Sequence, residues 1–430
     1  MSPEVGRPRV RVTVLEGFDI LPEPPEPPDG LPAVRGTRGR IRADEATIQK
    51  HALFLGAIGS GKTNAIQHLV RALHATAGPD DVFVFFDTKG DFLAAFRDAF
   101  GQRGYAVLGP GGGETWNVFA DLIDADNYDR ADQVHEIAST IFSEAMAHAG
   151  QHAFFASGAR DVFAAVLLAM SREDKRYSND DLRARLESSA DDLRDLLESH
   201  RDLAGTARYL ENQATAQSVL AFMQQTLGAA FSGEFRRPGG FSVREFIREK
   251  GKRALFVEYD IAIGARLLPV YRVLIDMAIK EALEIGRRRA PGRVFFVLDE
   301  FALLPALSHI GDGVNFGRGL GLRFIAGCQN VSQVLFAYGP EAGRSILSGF
   351  GTIFAFRLMD GASRDLVRQR FGTNHKQITM AAAVRSDRDQ HEFVTGNVIE
   401  DWTMSRLKRG ECVVAPPEGP PFRFEFLPGG

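Results

Sequence analysis

Four residues near the start of the chain have the types and spacing of a loop that binds phosphate. The pattern G-x-x-x-x-G-K-[ST] is matched by Gly56, Gly61, Lys62 and Thr63. In such a loop the backbone N–H groups turn toward phosphate oxygens, and the following helix adds positive potential at its N-terminus. We therefore expect Lys62 to reach the β- and γ-phosphates and Thr63 to ligate Mg²⁺. The remaining predicted nucleotide contacts within this stretch are Gly59, Ser60 and Asn64.

The flanks of this loop have the structure that the motif requires. HALFL (51–55) is an apolar run that predicts a short buried strand. NAIQHLVRAL (64–73) places its apolar residues on one face of a helix. The alternative interpretation, a glycine-rich turn with a solvated lysine, does not require this strand–loop–helix context.

A second stretch, VFFVLDE (294–300), supplies the acidic groups that phosphoryl transfer needs. Its apolar run predicts a buried strand that ends in two adjacent carboxylates. We expect Asp299 to hold Mg²⁺ through water and Glu300 to orient the attacking water. The alternative is an acidic cap on the end of a strand.

Three further polar side chains are candidates for sensing or stabilising the γ-phosphate. Gln329 ends the strand-like run RFIAGCQ, where it either senses that phosphate or is a buried amide with satisfied hydrogen bonds. Transition-state charge also calls for an arginine, which a neighbouring subunit delivers in ring ATPases. Arg318 in GRGLG and Arg357 in AFRLMD are the candidates, and each is otherwise a surface arginine.

The segment FFDTKGDF (85–92) follows another predicted strand. Ligands of open α/β sheets bind at the carboxyl ends of the strands, so Asp87 is a candidate nucleotide contact. The compatible alternative is a helix cap, with Asp91 capping the helix that follows.

Composition excludes several classes of protein. The 430 residues are 44% hydrophobic and 25% charged, which is an ordinary globular balance. We see no apolar run of transmembrane length and no signal peptide, and the two cysteines predict buried thiols in a reducing compartment. A net charge of −4 argues against a generally basic surface, although short basic runs such as RGTRGRIR (35–42) could line a channel or be solvated. No motif for a zinc hydrolase or a catalytic triad is present.

The order of predicted elements indicates an α/β protein with a mainly parallel sheet, interrupted by an all-α domain. Residues 1–50 are predicted as a strand and a proline-rich linker, and 51–127 as the first part of the nucleotide-binding domain. Residues 128–235 show almost only helical periodicity and are predicted as the inserted α-domain. Residues 236–430 are predicted to complete the nucleotide-binding domain.

Several of these stretches together resemble the conjugative coupling proteins, the TraG/TraD-like ATPases of type IV secretion systems. The most specific resemblance is LDEFALLPALSHIGDGVNFGRGLGLRFIAGCQNVSQVLFAYG (298–339). HALFLGAIGSGKT and DTKGDF resemble the first block of that family, and WNVF resembles its exit into an all-α domain. The similarity covers nearly all of residues 51–416.

The resemblance implies a RecA-like P-loop motor that uses ATP and Mg²⁺ and assembles as a homo-hexamer. It implies that DNA is transported to a secretion channel together with a relaxase or effector protein. Single-stranded DNA is favoured over double-stranded DNA as the cargo. The matching residues take the roles argued above, and Arg318 matches the position of an arginine finger that acts in trans. The expected location is the cytoplasm. If a partner holds the motor at the membrane, the motor lies at the inner face of that membrane.

Members of that family usually carry an N-terminal membrane anchor of two helices, and we recognise no stretch of this sequence that matches it. Three explanations stay open. The chain pairs with a separate membrane subunit, it is a shortened form of a family member, or it is a soluble relative with a different function. A soluble relative would be similar to the HerA/FtsK motors and would act in DNA processing or defence. A third function is a nucleotide-gated adaptor that recruits protein cargo, although the intact Asp299–Glu300 pair favours hydrolysis.

Overall fold

The computed structural model describes residues 10–101, 103–122, 127–288, 291–304, 307–380 and 390–429. The chain forms two compact units. The first unit comprises Met1–Thr76 and Phe324–Gly430, and the second comprises Ala77–Arg323, in each case within the described ranges.

The strands, in chain order, are β1 (Val10–Glu16), β2 (Ala33–Arg35), β3 (Arg40–Arg42), β4 (Ala52–Leu55), β5 (Val82–Asp87), β6 (Tyr105–Leu108), β7 (Arg253–Glu258), β8 (Val294–Leu298), β9 (Leu322–Cys328), β10 (Thr352–Ala355), β11 (Thr373–Met380), β12 (Gln390–Asn397), β13 (Glu411–Ala415) and β14 (Phe422–Glu425).

The helices are α1 (Glu45–Ile48), α2 (Lys62–Thr76), α3 (Asp91–Phe100), α4 (Asn127–Ala147), α5 (Ala153–Ser171), α6 (Asn179–Leu186), α7 (Ala190–Glu198), α8 (Ala204–Ala207), α9 (Gln213–Ala230), α10 (Val243–Glu249), α11 (Gly264–Arg287), α12 (Ile310–Phe316), α13 (Val331–Tyr338), α14 (Pro340–Ser348), α15 (Gly361–Phe371) and α16 (Asp401–Arg406).

The first unit is built on five strands in the order β14-β13-β10-β4-β9. Strand β4 pairs in parallel with both β10 and β9, whereas β13 and β14 are antiparallel additions. All four residues of β4 are buried, as expected for a strand with neighbours on both edges and covered faces. Phe54 and Phe354 are paired in register on β4 and β10, and their rings stack with centroids 4.4 Å apart.

The second unit contains four parallel strands in the order β8-β5-β7-β6. Strand β5 is buried along its whole length, and its aromatic residues stack on in-register neighbours. Phe83 lies 4.5 Å from Phe295 on β8, and Phe85 lies 4.7 Å from Phe256 on β7, between ring centroids. Stacked pairs of this kind contribute about 0.5–1.5 kcal/mol each beyond the burial of their surface. They hold the three strands in the register that aligns their carboxyl ends.

Helices α4 to α9 lie within or at the edge of residues 128–235, where the sequence predicts almost only helical periodicity, and α10 follows them before β7. Ser178 caps α6 and Ser189 caps α7, each in a reciprocal capping box with the aspartate three residues later. Leu182 and Leu186 are buried on α6 and Leu193 and Leu197 on α7, so this leucine-rich stretch forms two short helices. The predicted domain boundaries within the second unit stay a prediction.

One helical stretch of the second unit is longer and more apolar than any run expected from the sequence. Residues 150–171, which include α5, are long and apolar enough to cross a membrane by length and composition, with a mean hydropathy of 1.5. Sequence analysis recognised no such run. In the structure 67% of this window is buried, and α5 packs against α4, α7 and α9, which is the environment of a core helix.

A buried group of polar side chains connects the segment that follows β6 to helices α6 and α10. The Asp121 carboxylate accepts hydrogen bonds from Trp116 Nε1 at 2.7 Å, Ser242 Oγ at 2.7 Å and the Arg244 backbone N–H at 2.9 Å. Burial raises the pKa of Asp121, and these donors oppose that effect. Asn179 accepts from the Val118 backbone N–H and donates to two backbone carbonyls nearby. This group satisfies backbone groups that would otherwise be buried without partners.

The strands predicted within residues 1–50, at HALFL, before TKGDF, at VFFVLDE and at RFIAGCQ are confirmed as β1, β4, β5, β8 and β9, as is the α/β class with mainly parallel strands. The hairpin of β11 and β12, on which β1 forms a third, antiparallel strand, was not predicted. Residues 373–380 are largely half-exposed or exposed, so they lack the alternation by which a strand is recognised.

Candidate functional site

The predicted phosphate loop connects β4 to α2 in the first unit. Gly59 and Gly61 have φ values of 72° and 105°, which favour glycine because a side chain is strained there. The loop is fixed by backbone bonds from Gly56 N to Cys328 O and from Ala57 N to Arg357 O, at 3.1 and 2.9 Å. These bonds tie the loop to the carboxyl ends of β9 and β10.

Lys62 is the first residue of α2 and is 8% exposed. Its Nζ donates to Gly56 O at 2.6 Å and contacts Ala57 O at 3.4 Å, so the ammonium group lies within the curve of its own loop. An ammonium group there, at the N-terminus of a helix of 15 residues, concentrates positive potential on the loop.

Two observations test whether this loop fits a phosphate group. The Ser60 hydroxyl is buried and has no hydrogen-bond partner among the described residues. Gly56 is packed so closely that a Cβ there would lie 2.7 Å from Ser60 Oγ and 2.7 Å from Phe356 Cβ. An unsatisfied hydroxyl, an enclosed ammonium and a loop that excludes side chains fit a bound anion of phosphate type.

The other predicted residues of the first unit lie beside this loop. Gln329 follows β9 directly and Arg357 follows β10, and both side chains are half-buried. Since β9 and β10 flank β4 in parallel, Gln329 and Arg357 are carried to the loop end of the sheet. Thr63 is half-buried in the first turn of α2.

Asn64 has a partner that the sequence did not indicate. Its Nδ2 donates to Leu427 O at 2.8 Å, and His68 Nε2 lies 3.0 Å from the same carbonyl oxygen. Gly410 N donates to Ser60 O at 2.9 Å. The C-terminal strand region therefore lies against the phosphate loop and its helix.

In the second unit, the predicted acids lie at the carboxyl ends of adjacent strands. Asp299 and Glu300 follow β8, and Asp87 ends β5. Asp299 is 6% exposed, and Glu300 is half-exposed at the start of a short 3₁₀ turn. Because β8 and β5 are paired in parallel, their acidic ends lie on the same edge of this sheet.

Asp87 is 1% exposed and bound to the N-terminus of α3. Its Oδ2 accepts from the backbone N–H groups of Phe92 and Leu93, both at 2.9 Å, and its Oδ1 accepts from Lys89 N at 3.3 Å. The expected cap, Asp91, is instead the first residue of α3, preceded by Gly90 in the left-handed conformation. The capping interaction was therefore expected from the wrong aspartate, since Asp87 makes it.

Sequence analysis did not single out Glu258, which ends β7. It is the in-register partner of Asp87, and its pKa is raised by burial and by the negative charge of Asp87. The signal was present in ALFVE, an apolar strand ending in a carboxylate just as VFVFFD and VFFVLD do. The described part of this edge thus carries acidic groups from three neighbouring strands.

Arg318 lies near the amino end of β8, whereas Asp299 and Glu300 follow the carboxyl end of that strand. Arg318 is exposed, in a 3₁₀ turn (Gly317–Leu320) that follows α12. The next residue after the turn, Gly321, accepts a hydrogen bond at 3.0 Å from Val294 N, at the amino end of β8. Strand β8 has five residues and spans about 16 Å. The structure therefore does not bring Arg318 to Asp299 and Glu300 of its own chain.

The parallel strands and the phosphate loop define the class of protein as an α/β protein with a RecA-like P-loop fold. The chain further belongs to the family described as the type IV secretion-system coupling protein DNA-binding domain, which matches residues 37–419. A comparison with curated proteins gave no match.

Solved structures of similar fold include three that cover most of this chain. The bacterial conjugative coupling protein TrwBdeltaN70 is 20% identical, with a TM-score of 0.73 over 94% of this chain and 90% of that one. The plasmid coupling protein TrwB in complex with ADP and Mg²⁺ is 19% identical, with a TM-score of 0.72 over 100% and 97%. VirB4 of Thermoanaerobacter pseudethanolicus is 13% identical, with a TM-score of 0.59 over 94% and 99%.

Proposed function

We propose that this protein is an ATP-hydrolysing motor that recruits DNA, or DNA bound to protein, and moves it to a type IV secretion channel. The observation that carries the proposal is the phosphate loop, where the Lys62 ammonium lies 2.6 Å from Gly56 O at the N-terminus of α2. Membership of the coupling protein family supports DNA as the cargo. The similar TrwB structure holds ADP and Mg²⁺, which supports ATP and Mg²⁺ as the cofactors here.

The proposed division of labour follows the chemistry of each side chain. Lys62 and the loop N–H groups bind the phosphates, and Thr63 and Asp299 hold Mg²⁺, directly and through water respectively. Mg²⁺ held by these residues would neutralise charge on the phosphate oxygens. Glu300 orients the attacking water and accepts its proton. Gln329 senses the γ-phosphate. The other residues proposed to bind the nucleotide are Gly56, Gly59, Ser60, Gly61, Asn64 and Asp87.

The arginine that stabilises transition-state charge comes, in this proposal, from a second copy of the chain. Arg318 is exposed and lies at the opposite end of β8 from Asp299, so a contribution to hydrolysis requires a neighbouring subunit. Arg357, which lies beside the loop of its own chain, is the proposed contribution in cis. A ring of six subunits would place one such arginine at every site.

The proposed partners are DNA and a relaxase or effector protein bound to it. Single-stranded DNA is the favoured cargo. The motor would act on the cytoplasmic side of the membrane, held there by a membrane subunit or by the secretion channel. Two measurements together test the motor: the ATPase rate against protein concentration, with and without single- or double-stranded DNA, and the mass of the assemblies in the same samples.

The proposal expects the rate per subunit to rise with assembly and to rise again with DNA, because the arginine and the cargo both come from outside one chain. A monomer whose rate is flat with concentration and indifferent to DNA would contradict it. That result would favour a nucleotide-gated adaptor for protein cargo.

A further inference from the structure

A compact cluster of charged side chains joins three helices of the second unit. His309 immediately precedes α12, and its Nδ1 lies 3.0 Å from Asp276 Oδ2 on α11. Its Nε2 lies 2.9 Å from Glu136 Oε1 on α4. Lys280, also on α11, places Nζ 2.6 Å from the other oxygen of Glu136. The imidazole is therefore held between two carboxylates from two different helices.

The cluster keeps His309 protonated. Burial lowers the pKa of His309, but the hydrogen bonds and charges of Asp276 and Glu136 outweigh this and raise it to about 9. Burial likewise raises the pKa of Glu136, and His309 and Lys280 outweigh it and lower the pKa to about 2. The remaining charged group that lines the small cavity here is Arg244 from α10. The ring is thus an imidazolium with a full set of charged neighbours from α4, α10 and α11.

The same residues do not form a cation site in this arrangement. The two ring nitrogens point to opposite sides of the imidazole, and each is engaged by a different carboxylate. Positive charge is already supplied by His309 and by Lys280. A metal ion would have to displace both, so the geometry describes an internal ion cluster.

What the cluster holds in place is the segment that carries Arg318. The His309 backbone N–H also donates to Asp276 Oδ1 at 2.8 Å, which fixes the start of α12 on α11. Helix α12 leads directly into the 3₁₀ turn of Arg318. The end of that turn packs on α11 as well, since a Cβ on Gly286 would lie 2.3 Å from Leu320 O. Both ends of the segment are therefore anchored on one helix.

We propose that the His309 imidazolium is a positioning group that sets the orientation of the α12–Arg318 segment and couples it, through Glu136, to the helical part of the second unit. This inference rests on the proposed ATP hydrolysis by a ring of subunits. A shift of α4, such as cargo bound to the helical part would cause, acts directly on Glu136 and through it on the segment that presents Arg318. His309 itself touches no nucleotide and is not a catalytic residue.

The first test compares His309→Gln with His135→Gln, a matched change at an exposed position on α4. For His309→Gln we expect kcat for ATP to fall about tenfold with KM unchanged, because misplacing a catalytic group by a fraction of an ångström has effects of this size. His135→Gln should behave as wild type. In the wild type kcat should also fall as the pH rises through about 9, and this alkaline limb should be absent from His309→Gln. Equal kcat and equal pH profiles for His309→Gln and wild type would overturn the inference.

The second test needs no hydrolysis and uses the wild-type chain. Nuclear magnetic resonance of histidine-labelled protein should show one imidazole titrating near pH 9, and Glu136→Gln should lower that midpoint. Because the folded pKa is raised above 6.5, the stability that His309 contributes is complete below pH 6.5 and is lost as the pH rises through about 9. An ordinary midpoint for every histidine would overturn the inference even if His309→Gln failed to fold. If the midpoint is near 9 but the chain hydrolyses no ATP, the ion cluster around His309 would stand and the proposed ATP hydrolysis would be refuted instead.

Discussion

Lys62→Ala is expected to lower ATP turnover by about 10²–10³-fold or more, because it removes a preorganised charge aimed at the transferring phosphate. Nucleotide binding should weaken with it, since the ammonium group lies within the curve of the loop, 2.6 Å from Gly56 O. Binding of a fluorescent ATP analogue and steady-state turnover measure the two effects separately. The fold should persist, because a hydrogen bond from a charged group contributes about 1.5–3 kcal/mol, less than the ~5–15 kcal/mol by which folded proteins are stable.

The matched control is Lys175→Ala, which removes the same charge from an exposed position in the helical part of the second unit. It should bind and hydrolyse ATP as wild type does. Thermal unfolding of both variants should stay close to that of the wild type. Wild-type turnover in Lys62→Ala would refute the assignment of the phosphate loop.

Glu300→Gln should separate binding from hydrolysis. We expect ATP to bind with little change and kcat to fall by about 10²–10⁴-fold, because the amide cannot take the proton of the attacking water. The substitution keeps the size of a half-exposed side chain at the end of β8, so stability should not change. Single-turnover hydrolysis with bound ATP is the measurement, since it reports the chemical step alone.

Glu258→Gln is the informative control for this prediction. Glu258 also ends a strand of the same sheet, and burial raises its pKa, as a general base would need. If Glu258→Gln abolished hydrolysis while Glu300→Gln did not, the base would have to be reassigned. Loss in Glu300→Gln alone would support the assignment made from the sequence.

The elements around the loop were predictable because their signals are local. HALFL, the glycines and the apolar helix face of residues 64–73 are contiguous, and β4, the loop and α2 follow directly from them. The acidic ends of β5 and β8 were likewise visible as carboxylates after apolar runs. What these strands share is burial on both faces, which leaves a continuous apolar signal in the sequence.

The features that were missed depend on residues far apart in the chain. The pairing of β1 with β11 joins Val12 to Ile378, far apart in the chain, and β11 is not buried enough to show a clear strand pattern. The His309 cluster joins residues 136, 276 and 309, which are far apart in the sequence and belong to no recognised motif. The cap of α3 was assigned to the wrong residue for another reason. The sequence does not show the left-handed conformation of Gly90, which makes Asp91 the first residue of the helix, and Asp87 binds the helix N-terminus instead. Local patterns thus give elements, whereas tertiary packing assigns their polar partners.

The most direct test of the motor is movement along DNA. DNA blocked at one end by biotin-bound streptavidin would be mixed with the wild-type chain and ATP, and release of the streptavidin would be followed over time. We predict release that needs ATP and Mg²⁺ and that is lost in Glu300→Gln, which should still bind ATP and DNA. ATP hydrolysis without any release, on single- or double-stranded DNA, would contradict the central claim that this protein converts hydrolysis into translocation.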